Sequence, residues 1–316
     1  MITHRERLKA ALNGEKTFRP PIALWRHFPV DDQSPERLAA ATIHYQRSYD
    51  FDLVKVTPSS SYCLQDWGAT DEWEGNPEGT RRYTKRIVQK PQDWEKLPLL
   101  TPSATYLSQQ LACLRLIRQE LGPDTPVVQT IFSPLAQAKN LVGGDRLLVH
   151  MRKYPDALQK GLATIAESTR RFVKAMLADD TIAIDGIFYA VQHAQAGLLT
   201  PIEYDTFGLP SDQHATEAAS RLWCNILHLH GDDSYFNLVT QNTPLGNYFP
   251  IINWHDRETP PTLAQARGQT KQTFCGGMSR KTMVLGTPEE IQAEARDAFA
   301  QTNAQKFILG TGCVVP

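Results

Sequence analysis

The chain has 316 residues, long for one small core but within reach of a single α/β barrel, so one large domain or two small ones are expected. It is 41% hydrophobic and 21% charged, and its formal net charge of −1 offers no overall field to draw it to nucleic acid or an anionic membrane. No apolar run approaches the ~18 residues of a membrane span, and five dispersed cysteines (Cys63, Cys113, Cys224, Cys275, Cys313) argue against a disulfide framework and for a reducing cytoplasm.

The opening MITHRERLKAALNGEK reads as a charged amphipathic helix rather than a signal peptide, with Thr3 and Glu6 at capping-box spacing and Gly14 as its stop. RPPIALWR (19–26) reads as a short strand, residues 34–50 as a helix started by Ser-Pro, and DLVKVTP (52–58) as a β-branched strand. The stretch 65–105 is rich in Trp, Gly and charge, and the mixed charges of DEWEGNPEGTRRYTKR (71–86) read as a solvated face. A helix follows at 104–122, a strand at 126–134, and long helical periodicity over 144–179. Residues 181–192 form the next expected strand and 211–223 a helix. Strands at 224–231, 251–256, 273–279 and 306–313 complete the set, with a helix at 287–302 capped by Thr287, Pro288 and Glu290.

About eight apolar strands alternating with helices predict a single (β/α)8 TIM barrel over residues 1–316. A doubly wound sheet fits the alternation too, but it wants a glycine-rich phosphate turn after an early strand, and none is present. In a barrel the chemistry belongs where strands end. Those ends offer Arg26 and His27, then Lys55, Thr57 and Tyr62, then Thr130 and Ser133. Further on they offer Tyr189, Gln192 and His193, then His228, His230 and Asp232, then His255 and Asp256, Arg280, and Cys313. Packing alone needs no such row of polar residues.

In HLHG, the rings of His228 and His230 lie at i and i+2 and share one strand face. Barrel closure brings Cys313 back toward that face, and His255 is a fourth candidate ligand; imidazole and thiolate suit zinc. The competing readings are an HxH pair in a loop, a cysteine that is a small buried hydrophobe, and a His255 that bonds Asp256. Arg26 either clamps a substrate carboxylate or phosphate or pairs with Asp31 or Asp32. Tyr189, Gln192, His193 and Arg280 are placed to shape specificity, with His27 beside Arg26. Trp25, Trp67, Trp254 and Tyr62 read as pocket walls or core.

RERLKAALNGEKTFRPPIALWR (5–26) resembles the N-terminal signature of the uroporphyrinogen decarboxylase superfamily, and GTPEEIQAEARDAFAQTNAQKFILGTGCVVP (286–316) resembles its last helix and strand. The resemblance implies a single (β/α)8 barrel with its pocket at the strand C-termini. True uroporphyrinogen decarboxylases use no metal and hold the tetrapyrrole with arginines and an aspartate after the second strand. Arg26 matches the first arginine; the second falls in HFPVDD and is missing, VTPSS (56–60) has no carboxylate, and GTGC replaces the final histidine loop. The other branch resembles corrinoid-linked methyltransferases that hold zinc through His-x-Cys and a late cysteine. Here His228 matches the histidine, His230 stands in for the first cysteine, and Cys313 matches the last.

The resemblance therefore implies a zinc-dependent, methyltransferase-like enzyme with zinc on His228, His230 and Cys313, with His255 as the candidate fourth ligand. A corrinoid methyl donor would be carried on a separate protein. The alternatives are metal-independent decarboxylation of uroporphyrinogen III or a smaller carboxylated ring, and non-catalytic binding of a tetrapyrrole or corrinoid. A zinc hydrolase fits less well, since those enzymes place HxH on the first strand. A monomer or homodimer acting on a small molecule is expected.

Overall fold

Side chains in the sequence itself start several helices. Thr3 and Glu6 form a reciprocal capping box before His4–Asn13, Ser34 accepts from the Arg37 N–H before Pro35–Tyr49, and Thr287 with Glu290 caps Pro288–Thr302. A computed structural model describes residues 2–241 and 243–316. Its strands are β1 (Ile22–Ala23), β2 (Val54–Val56), β3 (Thr70–Glu72), β4 (Arg82–Lys85), β5 (Val127–Phe132), β6 (Gly186–Val191), β7 (Ile226–Leu229), β8 (Ile251–Trp254), β9 (Thr273–Met278) and β10 (Phe307–Thr311).

Eight of them form one parallel sheet in the order β1-β10-β9-β8-β7-β6-β5-β2, wrapped by helices as a nearly closed (β/α)8 barrel. The ring is completed between β1 and β2 by Asp52, whose N–H donates to Ile22 O at 2.8 Å while its carboxylate accepts from Ile22 N–H at 2.8 Å. Asp52 also takes His4 and the guanidinium groups of Arg7 and Arg19, so the first helix is locked to the closure point.

Strand alternation divides the core in two. Ala23, Val128, Phe188, Ala190, Ile226, Ile251, Cys275 and Ile308 fill the lumen with Trp25 and Leu8, while their neighbours Val127, Ile187, Tyr189, Leu227, Ile252 and Phe274 pack outward against the helices. Trp67 and Trp254 lie in the outer core.

Several boundaries differ from expectation for local reasons. The helical stretch 144–179 is two helices, Gly144–Lys153 and Pro155–Leu177, because Pro155 forces Tyr154 out of the helical region (φ −138, ψ 52). The expected helix at 211–223 begins earlier, at Pro201 behind a Thr200–Glu203 capping box, and passes through a π-helical turn, Tyr204–Gly208. The strand expected over 181–192 is ordered as β6 only from Gly186.

The solvated face expected over 71–86 is instead an antiparallel hairpin of β3 and β4. Its tip is exposed, but the Arg81 side chain, 6% exposed, sits between Asp71 (2.8 Å) and Asp32 (3.3 Å), which ties the hairpin base to the loop after β1. Among the described residues no helix is long and apolar enough to cross a membrane, and all five cysteines are free.

Candidate metal centre

His228 sits on the lumen face of β7, and His230 follows on the same side just past the strand end. Asn253 and His255 repeat that relation on β8. Past β10, Gly312 lies so close to the β8 end that a Cβ there would meet His255 Cα and Trp254 O at 2.7 Å. That close approach delivers the next residue, Cys313, to the imidazoles. One donor atom from each of His228, His230, His255 and Cys313 lies within 4.8 Å of all the others. Cys313 Sγ is 3.7 Å from His230 Nδ1 and 4.0 Å from His228 Nε2. A tetrahedral zinc with ordinary Zn–N and Zn–S bonds separates nitrogen and sulfur ligands by about 3.6 Å, close to the two Cys313 contacts.

Hydrogen bonds set which nitrogens face inward. Asn253 Nδ2 donates to Cys275 O (2.7 Å) and Thr311 O (3.0 Å), which leaves its Oδ1 to accept from His228 Nδ1 at 2.6 Å. The proton is then on Nδ1, and His228 Nε2 presents its lone pair to the cluster. His255 Nδ1 is 3.1 Å from Glu258 Oε2, and its Nε2 is buried with no hydrogen-bond partner among the described residues. A carboxylate on one ring nitrogen and an unsatisfied buried nitrogen on the other is the arrangement of a metal-ligating histidine. The expected competitor for His255, Asp256, instead accepts from the Gly277 N–H.

Electrostatics favour the ligand forms of the histidines. Burial, then the neighbouring His230 and His255, hold His228 well below the usual imidazole range, and burial with His255 pushes His230 down to about 4. Burial raises the Cys313 thiol, a cost that coordination reverses because a ligating thiol is deprotonated outright.

The other expected site residues divide. His193 is brought beside the cluster: its Nδ1 is buried and unpartnered among the described residues, and burial, Lys139 and His230 lower it to about 4. His27 also keeps a buried Nδ1, unpartnered among the described residues, and the ring is lowered to about 3 by burial, Lys55 and Arg81. Arg280 lies at the mouth, where it grips Glu258 with two bonds (3.0 and 2.9 Å) and so bears on His255, while its charge also acts on His230 and Cys313. Arg26 is not brought in. Ala23 and Trp25 take the lumen side of the first strand, so Arg26 points outward, exposed, over Phe28. Its alternative partners are taken as well: Asp31 pairs with Arg37 and Asp32 with Arg81.

Tyr189 is likewise corrected from a pocket residue to an outer-core one, since Phe188 and Ala190 occupy the lumen. Its hydroxyl and that of Tyr204 each lie 2.6 Å from the Asp212 carboxyl, which burial pushes up to about 7. An acid whose folded pKa is raised stabilises the protein below its unfolded value, near 4, and loses that contribution as pH rises through about 7. Asp212→Asn is therefore expected to change the pH slope of unfolding free energy by up to about 1.4 kcal/mol per pH unit between those limits. Urea titrations of both proteins at pH 5 and 7.5 measure it; parallel curves would contradict the assignment.

Lys55 was visible in the sequence only as a strand-end residue. It lies buried in the lumen, its Nζ 3.3 Å from Thr57 Oγ1 and 4.5 Å from the Phe188 ring centroid, without a carboxylate partner among the described residues. Asn253 and Glu258 were missed, although both share a simple spacing with His255, at i−2 and i+3. A surface cavity of about 710 Å³ opens at the other end of the barrel, beside Lys9, Trp223 and Lys306, and holds none of these residues.

The family model for uroporphyrinogen decarboxylase (URO-D) matches residues 3–316. The chain belongs to the URO-D family. Its curated relatives include members of both kinds expected from the sequence. A uroporphyrinogen decarboxylase of Carboxydothermus hydrogenoformans is 24% identical over 142 residues, 43% of this chain and 39% of that protein. The methylcobamide:CoM methyltransferase MtaA of Methanosarcina barkeri is 23% identical over 205 residues, 58% of this chain and 58% of that protein. The matched region thus covers less than two thirds of either relative. Among solved structures, a methyltransferase from Methanosarcina mazei shares the fold of this URO-D chain with a TM-score of 0.81 and 19% identity, covering 100% of this chain and 94% of that one. A B12-independent methionine synthase from Shewanella sp. W3-18-1 has a TM-score of 0.55 at 15% identity, covering 93% of this chain and 86% of the other.

Proposed function

We propose that this URO-D family member is a zinc-dependent, methyltransferase-like enzyme acting on a small substrate, with the methyl donor carried by a separate corrinoid protein. One observation carries the reading: four buried or half-buried donors converge, and on His228 and His255 the outward nitrogen is already engaged so that the other faces the cluster. The methyltransferase relatives support the choice of branch.

Zinc bound there would supply Lewis acidity that lowers the pKa of a substrate thiol, hydroxyl or water. His228, His230 and His255 provide neutral imidazoles and Cys313 the one thiolate, a donor set less anionic than one with two cysteines and so a stronger Lewis acid when loaded. Asn253 and Glu258 orient the rings. His193 and His27 each keep one buried nitrogen, unpartnered among the described residues, with which to make a hydrogen bond to a substrate. Arg280 acts by positioning, through Glu258.

Protein purified without chelator, incubated with methylcobalamin and 2-mercaptoethanol, tests the reading. Expected is thiol-dependent demethylation that stops on chelation and returns with zinc; undiminished turnover by metal-free protein would refute it. Conversion of uroporphyrinogen III to coproporphyrinogen by metal-free protein would instead support the decarboxylase alternative. The outward Arg26 and the lack of a carboxylate at residues 56–60 weigh against that outcome.

A further inference from the structure

Four protein ligands close a zinc site, whereas a catalytic one keeps a position for substrate. On the metal reading above, on which this inference rests, one of the four side chains has to give way. Their mounts differ. Behind His228 stands Asn253, fully buried and bonded to the backbone of β9 and β10. Cys313 follows the tightly packed Gly312, with its carbonyl held by Thr311 Oγ1. The His230 backbone is fixed by its N–H to Val191 O at 2.9 Å, and its ring meets Cys313 Sγ at 3.7 Å.

His255 is held differently. Its partner Glu258 is 36% exposed and is gripped in turn by Arg280, whose free nitrogen, Nη1, bonds Glu78 Oε1 at 2.9 Å. Glu78 lies at the exposed tip of the β3–β4 hairpin, 202 residues away in sequence, between Gly75 and Gly79, both with positive φ. Gly79 rests directly on His27, so close that a Cβ there would sit 2.3 Å from the His27 Cβ. The hairpin base is anchored by the Arg81 side chain, while its tip packs on His27 and bonds Arg280. An unbroken chain of charged bonds therefore runs from the hairpin tip through Glu78, Arg280 and Glu258 to His255.

We infer that Glu78, Arg280 and Glu258 are positioning residues that couple the hairpin tip to His255, making His255 the ligand that yields its place when a substrate enters. Linkage makes the coupling reciprocal: whatever loosens the tip eases replacement of His255, and a substrate in its place loosens the tip.

Full-length protein loaded with Co(II) in place of zinc reports this by visible absorption, with 2-mercaptoethanol as the probe. His255→Ala is expected to retain one cobalt with an altered spectrum, while His228→Ala loses it. Glu78→Gln, which touches no ligand, is expected to keep full cobalt occupancy but to reach half-saturation at roughly tenfold lower 2-mercaptoethanol, within the usual range of coupling between sites. A Glu78→Gln titration that overlays the wild type, or cobalt lost from His255→Ala as completely as from His228→Ala, overturns the inference and leaves the metal reading standing. Failure of the wild type to take up cobalt at all overturns both.

Discussion

His228→Ala is expected to abolish zinc retention, weakening it by more than about 100-fold, and to remove activity with it. Substitutions one shell further out already cost roughly 10–100-fold in metal affinity, so loss of a direct ligand from the most rigid mount costs more. His228 is 3% exposed, stacks on Phe188 at 5.0 Å and takes its tautomer from Asn253. Its removal leaves the Asn253 oxygen without a buried donor, which adds about 1–3 kcal/mol of destabilisation. Metal content by mass spectrometry and thermal unfolding, measured on the same preparation, separate the two effects. A folded variant that keeps stoichiometric zinc would mean that His228 is not a ligand.

Asp52→Ala is expected to cost about 3 kcal/mol of stability, the low end for breaking a buried ion pair because Arg19 retains some contact with water. Burial alone would raise the Asp52 carboxyl, but Arg19, His4, the Ile22 N–H and Arg7 outweigh it and hold the pKa below the usual carboxylate value. The contribution is therefore complete above the unfolded value, near pH 4, and is lost as pH falls through the lower folded one. Wild-type protein should converge on the variant in acid. Urea unfolding of both at pH 7 and pH 3 checks this, and an unchanged midpoint at pH 7 would show that the β1–β2 closure does not depend on Asp52.

The barrel was legible because its strands are short apolar runs between capped helices, signals that tertiary packing did not override. The cluster of candidate ligands was legible in part: period-two alternation put His228 and His230 on one face, and closure supplied Cys313 and His255. The same alternation, applied to the first strand, would have turned Arg26 outward from Trp25, and applied to β6 would have turned Tyr189 away from Phe188. The polar chemistry of these two residues does not say which face they occupy. Glu78 was hidden for a different reason: its significance comes from Arg280, which joins segments far apart in sequence, and no local period records such a contact. The buried half of the hairpin was obscured likewise, since Arg81 and Asp71 look like solvated charges until Asp32 is brought to them.

X-ray absorption at the zinc edge of protein purified without added metal tests the central claim most directly. One zinc per chain with a single sulfur at about 2.3 Å and nitrogen ligands at about 2.0–2.1 Å is expected. Protein without zinc, or zinc in a shell lacking sulfur, would contradict it.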